Sequence, residues 1–131
     1  MNNNQLNFNQ TVADLNEVSE NMAKATSILI KLTPEKSAQS LIKGLFSVSA
    51  STVGDALEEL QTGWNPKTLT FEDVIAKHRI YDLVVALATQ LDEKEKVFSG
   101  YGLSAERAGL DECLSDSFDN AMAVQERLWD L

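Results

Sequence analysis

Several residue types that would support an enzyme site or a disulfide framework are scarce in this sequence. The chain of 131 residues has one cysteine, one histidine and two prolines. With Cys113 alone, an intramolecular disulfide is impossible, and nothing indicates an oxidising compartment. One cysteine and one histidine are also too few for a zinc site of the Cys/His type. The sequence therefore predicts a cytoplasmic protein without a metal site.

Long apolar runs are missing as well. The longest unbroken run extends from Leu83 to Ala88, whereas crossing a bilayer takes about 20 apolar residues. The first ten residues have neither the cationic region nor the apolar region of a signal peptide. We therefore expect no association with a membrane.

Cofactor motifs are also absent. The sequence contains no P-loop, GxGxxG, GxSxG or EF-hand pattern. A di-iron bundle would need Glu-x-x-His twice, and the residue three positions before His78 is Ile75. We expect no cofactor.

What the sequence does contain is apolar surface and negative charge. Its 44% apolar content is enough for a folded core, and 20 acidic residues against 11 basic ones give a formal net charge of -9. A surface this negative repels phosphate backbones, which argues against direct nucleic-acid binding. The same surface would attract a basic protein. The alternative is that the acidic composition only keeps the protein soluble and serves no partner.

Apolar spacing predicts an all-α, single-domain helical bundle of about five helices. Residues 1–10 are mostly Asn and Gln and are predicted to form a frayed polar tail, with the helical domain spanning 11–131. From Thr11 to Leu32, apolar residues recur every three or four positions, which is typical of one helix. Thr33-Pro34-Glu35 is typical of the start of a second helix.

The remaining boundaries follow from capping patterns. Residues 46–51 alternate with period two, so they could form a strand, but the lack of a partner strand favours a helix end and a loop. Thr52 and Thr70 each begin a capping-box pattern, which predicts a short third helix ending at Gly63 and a fourth reaching about Lys96. The fourth is apolar on nearly every side between Ile80 and Leu91, which predicts a central helix. The fifth would begin at Ser104.

Negative charge is concentrated in the predicted fifth helix. From Ser104 to Leu131, seven acids and two arginines contribute -5 of the net charge. We expect a small non-enzymatic interaction module, an adaptor or inhibitor, that presents these carboxylates to a basic surface of another protein. A sharper form of this hypothesis is that they imitate nucleic-acid phosphates. The candidate carboxylates are Asp111, Glu112, Asp116, Asp119 and Glu126.

Three aromatic residues are candidate anchors for such a partner. Trp64 lies in a Gly-Trp-Asn-Pro segment, Tyr101 lies between two glycines, and Trp129 is close to the end of the sequence. Aromatic side chains bury a large area at low entropic cost. The alternative is that each aromatic pins its own segment onto the domain.

Other interpretations remain open from the sequence. Asp82 lies at helical spacing from His78 and Arg79, which predicts an ion pair at the edge of the core, or a polar position that meets a ligand or another chain. A homodimer or larger homo-oligomer assembled through the apolar seam of the first helix is an alternative function. A less favoured alternative is an enzyme that uses Cys113 as nucleophile and His78 as base.

Overall fold

The structure is a computed structural model in which the described residues form four α-helices. It describes the backbone of residues 3–63, 71–98 and 104–130 and the side chains of residues 8–62, 75–98 and 109–128. The helices are α1 (Asn3–Leu32), α2 (Lys36–Gly63), α3 (Phe71–Phe98) and α4 (Ser104–Asp130). The all-helical class and the bundle are confirmed, with four helices where about five were predicted.

The helices pack in a ring. Each contacts the next along the chain and α4 contacts α1, whereas the diagonal pairs α1/α3 and α2/α4 make no contact within the described ranges. This is the up-down arrangement of an antiparallel four-helix bundle. The prediction that the fourth helix of the sequence is central is wrong, because α3 has two neighbouring helices like the others and Ala86, inside its apolar stretch, is exposed.

The core is built from apolar residues at intervals of three and four on each helix. In α1, the predicted stripe is confirmed, since Leu15, Val18, Met22, Ala25 and Leu29 are all buried. Burying a side chain of leucine size contributes about 1.5–3 kcal/mol, so this repeat is the main source of stability. The largest fully buried side chains of the other three helices are Val53, Leu60, Ile80, Val84, Leu87, Leu91, Leu110, Leu114 and Leu128.

A short turn joins α1 to α2. The backbone amide of Thr33 donates to the carbonyl of Ile30 at 3.2 Å, and the side-chain amide of Gln39 donates to the carbonyl of Thr33 at 2.7 Å. These bonds satisfy backbone groups that a helix end leaves without partners. The predicted helix start near Pro34 is therefore confirmed to within two residues.

One continuous helix replaces the predicted second and third helices. The predicted break at residues 46–51, and the possible strand there, are wrong because Phe46, Ser49 and Val53 keep the three- and four-residue spacing and are buried. The hydroxyl of Thr52 donates to the carbonyl of Val48 at 3.0 Å. This bond to the residue four positions earlier is typical of a threonine inside a helix, so Thr52 does not cap a new helix.

Helix α1 begins inside the segment that the sequence predicts as a polar tail. Helix α1 begins at Asn3, so most of residues 1–10 are helical. Phe8 is partly buried and packs against the core, and the side-chain amide of Gln10 donates to Asp14 Oδ1 at 3.0 Å. Contacts with the rest of the bundle thus stabilise a segment whose composition alone is typical of a tail.

Among the described residues, no helix combines the length and the apolar character that a bilayer span requires.

Candidate functional site

The seam between α1 and α4 is fixed by an ion pair that is largely buried. Arg127 Nη2 lies 2.8 Å from Asp14 Oδ2, and the two side chains are 18% and 11% exposed. Arg127 Nη1 also donates to Thr11 Oγ1 at 3.1 Å. A pair of this kind, with its remaining donors and acceptors satisfied, sets the register of two antiparallel helices.

Further along this seam lies an open groove of about 500 Å³. Its polar lining includes the carboxylates Glu17 of α1 and Glu112 and Asp116 of α4, with Lys24 as the one cation among the described side chains. All four of these residues are exposed. The helix spacing explains the arrangement, because Glu112 and Asp116 are four residues apart and therefore lie on one side of α4. We call this surface the acidic groove.

The α1–α4 seam contains two buried amide nitrogens without hydrogen-bond partners, one of them on a residue that lines the acidic groove. Asn21 lines the groove and is 8% exposed, and its Nδ2 atom is buried and makes no hydrogen bond; the same is true of Nδ2 of Asn120. Asn21 follows Asp14 by seven residues and Asn120 precedes Arg127 by seven. Seven residues are about two helical turns, so both amides lie at the same level of the antiparallel seam.

Toward the end of α1, helices α1 and α4 approach closely. A methyl group built on Gly109 would lie 3.7 Å from Ile28 Cδ1, which is ordinary van der Waals contact. Cys113 lies one turn further along α4 and lines the acidic groove. An alanine would therefore also fit at position 109, and the packing of α4 on α1 does not require glycine there.

The predicted acidic residues of α4 do not form one continuous face. Glu112 and Asp116 face α1 across the acidic groove, whereas Asp119 lines a second groove of about 510 Å³ against α3. Glu126 is exposed, and Asp111 is partly buried with an Oδ1 atom that has no hydrogen-bond partner. Sequence reasoning missed the contribution of Glu17, since the pairing of α1 with α4 is a tertiary contact.

Cys113 and His78 are not brought together. His78 is exposed and lines a pocket of about 280 Å³ together with Leu128. Cys113 precedes Leu128 by fifteen residues on the same helix, which is about 22 Å along the axis. Burial raises the pKa of the Cys113 thiol, so the reactive thiolate is less populated than in a free cysteine.

The predicted pairing of Asp82 within its own helix is not present. Arg79 Nη1 lies 3.9 Å from Glu59 Oε1 of α2, and no ion pair of Asp82 occurs among the described side chains. Asp82 is exposed, so solvation removes the need for a partner. Asp82 and His78 lie in the same pocket with Lys77 and Tyr81.

The three candidate aromatic anchors lie partly or wholly outside the described residues. Trp64 and Tyr101 fall outside them, and Trp129 is within α4 but its side chain is not described. Their proposed role as partner anchors stays a prediction. Among the side chains that are described, no group of three His, Cys, Asp or Glu is arranged to hold a metal ion.

The seam between α2 and α3 has a different polar composition. The hydroxyl of Ser49, which is fully buried, donates to Gln90 Oε1 at 3.1 Å, and Gln90 Nε2 donates to Thr52 Oγ1 at 3.3 Å. Both ends of the Gln90 amide therefore have partners. We call these three residues the glutamine cluster.

An aromatic cluster lies on α2 and α3 beyond the glutamine cluster. The ring centroids of Phe46 and Phe98 are 5.8 Å apart, and Lys94 Nζ lies 5.6 Å from the centroid of Phe46. This geometry is that of a cation–π contact. Burial lowers the pKa of the Lys94 amine, and the nearby carboxylate of Glu93 opposes this effect.

No family model, curated protein or solved structure shows a significant match to this chain.

Proposed function

We propose that this protein is a small interaction module, without a catalytic step, that binds a basic surface of another protein through the acidic groove. The supporting observation is that Glu17, Glu112 and Asp116 line one groove formed by two different helices. A groove with three carboxylates and one lysine suits a protruding arginine or lysine side chain, which gains a charge-assisted hydrogen bond there. The proposed location is the cytoplasm, in keeping with the single cysteine.

Charge provides the second argument for this proposal. Two more carboxylates on these helices are exposed. Glu20 follows the groove residue Glu17 by three positions in α1, and Glu126 lies further along α4. Exposed carboxylates of this kind steer a cationic partner into contact and raise the association rate. Their contribution decreases as salt is added, because the Debye length falls below about 10 Å above 0.1 M ionic strength.

The test is affinity capture from lysate of the native cell, followed by a binding measurement with the purified captured protein. We expect wild-type protein to capture a basic protein at low salt and to release it at high salt. The triple variant Glu17→Gln/Glu112→Gln/Asp116→Asn should lose most of this binding. The matched control Asp82→Asn/Glu58→Gln/Glu93→Gln removes the same number of exposed carboxylates elsewhere and should retain it. Equal binding by the two variants would contradict the proposal.

A sharper form of the proposal is that the carboxylates imitate the phosphates of a nucleic acid. In that case the captured protein is itself a nucleic-acid-binding protein, and duplex DNA competes with this chain for one site. Simultaneous binding of DNA and this chain to the captured protein would exclude the mimicry, while leaving the basic-partner proposal intact.

A further inference from the structure

The solvent-facing side of α2 is unusual because it carries no charge over most of its length. Between Ser37 and Gly54 the only charged residue is Lys43. Leu41, Leu45 and Val48 are 66%, 40% and 55% exposed. An exposed helix face in a bundle is ordinarily polar and charged. Contiguous exposed apolar residues of this kind typically mark an interaction surface.

Small residues are interleaved with these apolar side chains. They recur at intervals of three and four and are all exposed: Ser37, Ser40, Gly44, Ser47, Ser51 and Gly54. A methyl group built on Gly44 or on Gly54 would have no atom within 4 Å, so both glycines face open space. Small residues at this spacing allow the backbone of a second helix to approach closely. We call the side of α2 from residue 37 to residue 54 the neutral face.

We propose that the neutral face binds the neutral face of a second copy of this chain, with the two α2 helices antiparallel around a two-fold axis. Net charge supports this choice of partner. Each chain carries a formal charge of -9, so two copies repel each other wherever their carboxylates meet. The neutral face has no carboxylate, and two copies can approach there with the least repulsion.

The sequence of the neutral face is also self-complementary. When the two-fold axis passes between positions 44 and 45, Leu45 of one copy lies opposite Gly44 of the second copy, and Leu41 lies opposite Val48. A large side chain thus meets a gap and two apolar side chains meet each other, which is the requirement for an isologous interface. Because this proposal uses α2, it is independent of the acidic groove on α1 and α4.

Charges at the ends of the neutral face complement each other in the same arrangement. Position 36 lies opposite position 53 of the second copy, so Lys36 and Asp55 of the two chains are within about one helical turn of the same level. Both side chains are exposed. Two such pairs form by symmetry and favour the antiparallel orientation over the parallel one.

The expected affinity is modest. The neutral face spans seventeen steps of the helix, or about 26 Å, and a contact between two helices of this length falls at the small end of specific interfaces, below about 1,200 Å². We therefore expect monomer and dimer to exchange, with a dissociation constant in the micromolar range.

The test is sedimentation velocity of the full chain from low micromolar to near-millimolar concentration. We expect the mass to rise from 14.4 kDa toward twice that value. Gly44→Gln should raise the dissociation constant at least about tenfold, because the new side chain keeps the helices apart. The same substitution should raise the melting temperature of dilute protein, since glycine is a poor helix former. Weaker association together with a more stable monomer distinguishes an interface from a folding defect.

A second set of variants tests the position and the orientation of the interface. Val48→Glu should also weaken association, whereas Ala13→Glu, which adds the same charge at an exposed position of α1, should not. Lys36→Glu and Asp55→Lys should each weaken the dimer, and the double variant should restore it. Failure of the double variant to restore association would overturn the antiparallel pairing. A wild-type chain that stays at 14.4 kDa at every concentration would overturn the proposal and leave the neutral face to a different protein.

Discussion

The α1–α4 seam and the α2–α3 seam differ in how well their buried polar groups are hydrogen-bonded. In the α2–α3 seam, the buried hydroxyl of Ser49 and both ends of the Gln90 amide have partners. In the α1–α4 seam, one ion pair is well satisfied, but Asn21 and Asn120 each have a buried Nδ2 atom without a hydrogen bond. The buried polar groups named in the α2–α3 seam thus all have hydrogen-bond partners, whereas two of those in the α1–α4 seam do not.

The difference has an energetic meaning. A buried polar group without a partner costs about 1–3 kcal/mol, whereas a satisfied one contributes about 0.5–1.5 kcal/mol. Both amide nitrogens without partners lie in the seam to which the proposed function is assigned, and Asn21 lines the acidic groove itself. Residues that reduce stability are commonly retained where they serve binding. The proposed binding surface thus lies on the less well satisfied of the two seams.

The largest expected effect comes from breaking the ion pair that fixes the α1–α4 register. Arg127→Met should lower the free energy of unfolding by about 3 kcal/mol, the lower end of the range for a buried pair, because both side chains keep some contact with water. The carboxylate of Asp14 would retain only the hydrogen bond from Gln10. Urea denaturation measures the change.

Two further variants separate the ion pair from general effects of charge. The double variant Asp14→Leu/Arg127→Met should recover most of the lost stability, because no uncompensated charge stays buried. Lys96→Met removes an exposed pair with Asp92 and should change little. A double variant as unstable as Arg127→Met alone would show that the pair contributes through more than its charge.

A smaller effect, of opposite sign in the two seams, is expected when an amide is replaced by leucine. Asn21→Leu/Asn120→Leu should raise the free energy of unfolding by about 2 kcal/mol, because it removes two buried amides without partners. Gln90→Leu should lower it by about 1 kcal/mol, because Ser49 would lose its acceptor. Urea denaturation of the wild-type protein and of both variants under one set of conditions measures both changes. If both changes had the same sign, the contrast between the seams would be lost.

The smallest expected effect is the pH dependence that Lys94 adds to the α2–α3 seam. The folded-state pKa of Lys94 lies below the ordinary value of 10.5, so the unfolded chain binds the proton more tightly. The free energy of unfolding should therefore rise with pH from the lowered pKa up to 10.5. Lys94→Met should abolish this rise. Urea denaturation at neutral pH and near the ordinary pKa measures the difference.

Lys96 provides the control for this pH experiment. Its pKa is raised by a hydrogen bond with Asp92, so its contribution to stability is present below the ordinary pKa and is lost as pH rises through the raised value. Because this pair is exposed, Lys96→Met should leave the rise of stability with pH in place, and any small change should be opposite in direction to that of Lys94→Met. Identical pH profiles for the two variants would contradict the assignment of the effect to burial of Lys94.

The sequence predicts the helices and the core well because their signal is local. The spacing of Leu15, Val18 and Met22 is the same in the sequence and on the buried side of α1. The break predicted at Thr52 failed because a capping-box pattern and a threonine inside a helix look alike in sequence. They differ only in where the hydroxyl bonds, and here it bonds to Val48 within the same helix.

The candidate surfaces were less predictable because they depend on which helices are neighbours. Asp14 and Arg127 are 113 residues apart, and no pattern in the sequence pairs them. The acids of α4 were identified, but their division between grooves with α1 and α3 follows from the packing order. The neutral face did have a signal that was overlooked, since residues 37–54 contain no acid in a chain of net charge -9.

The ring of helices has a consequence for the order in which the molecule assembles. Three of its seams join helices that follow one another in the chain, whereas the α1–α4 seam joins the first to the last. Contacts between distant segments carry the largest loop-closure entropy and form late in folding. The acidic groove exists only once α1 and α4 have met, so a chain in which these two helices are still apart does not display it.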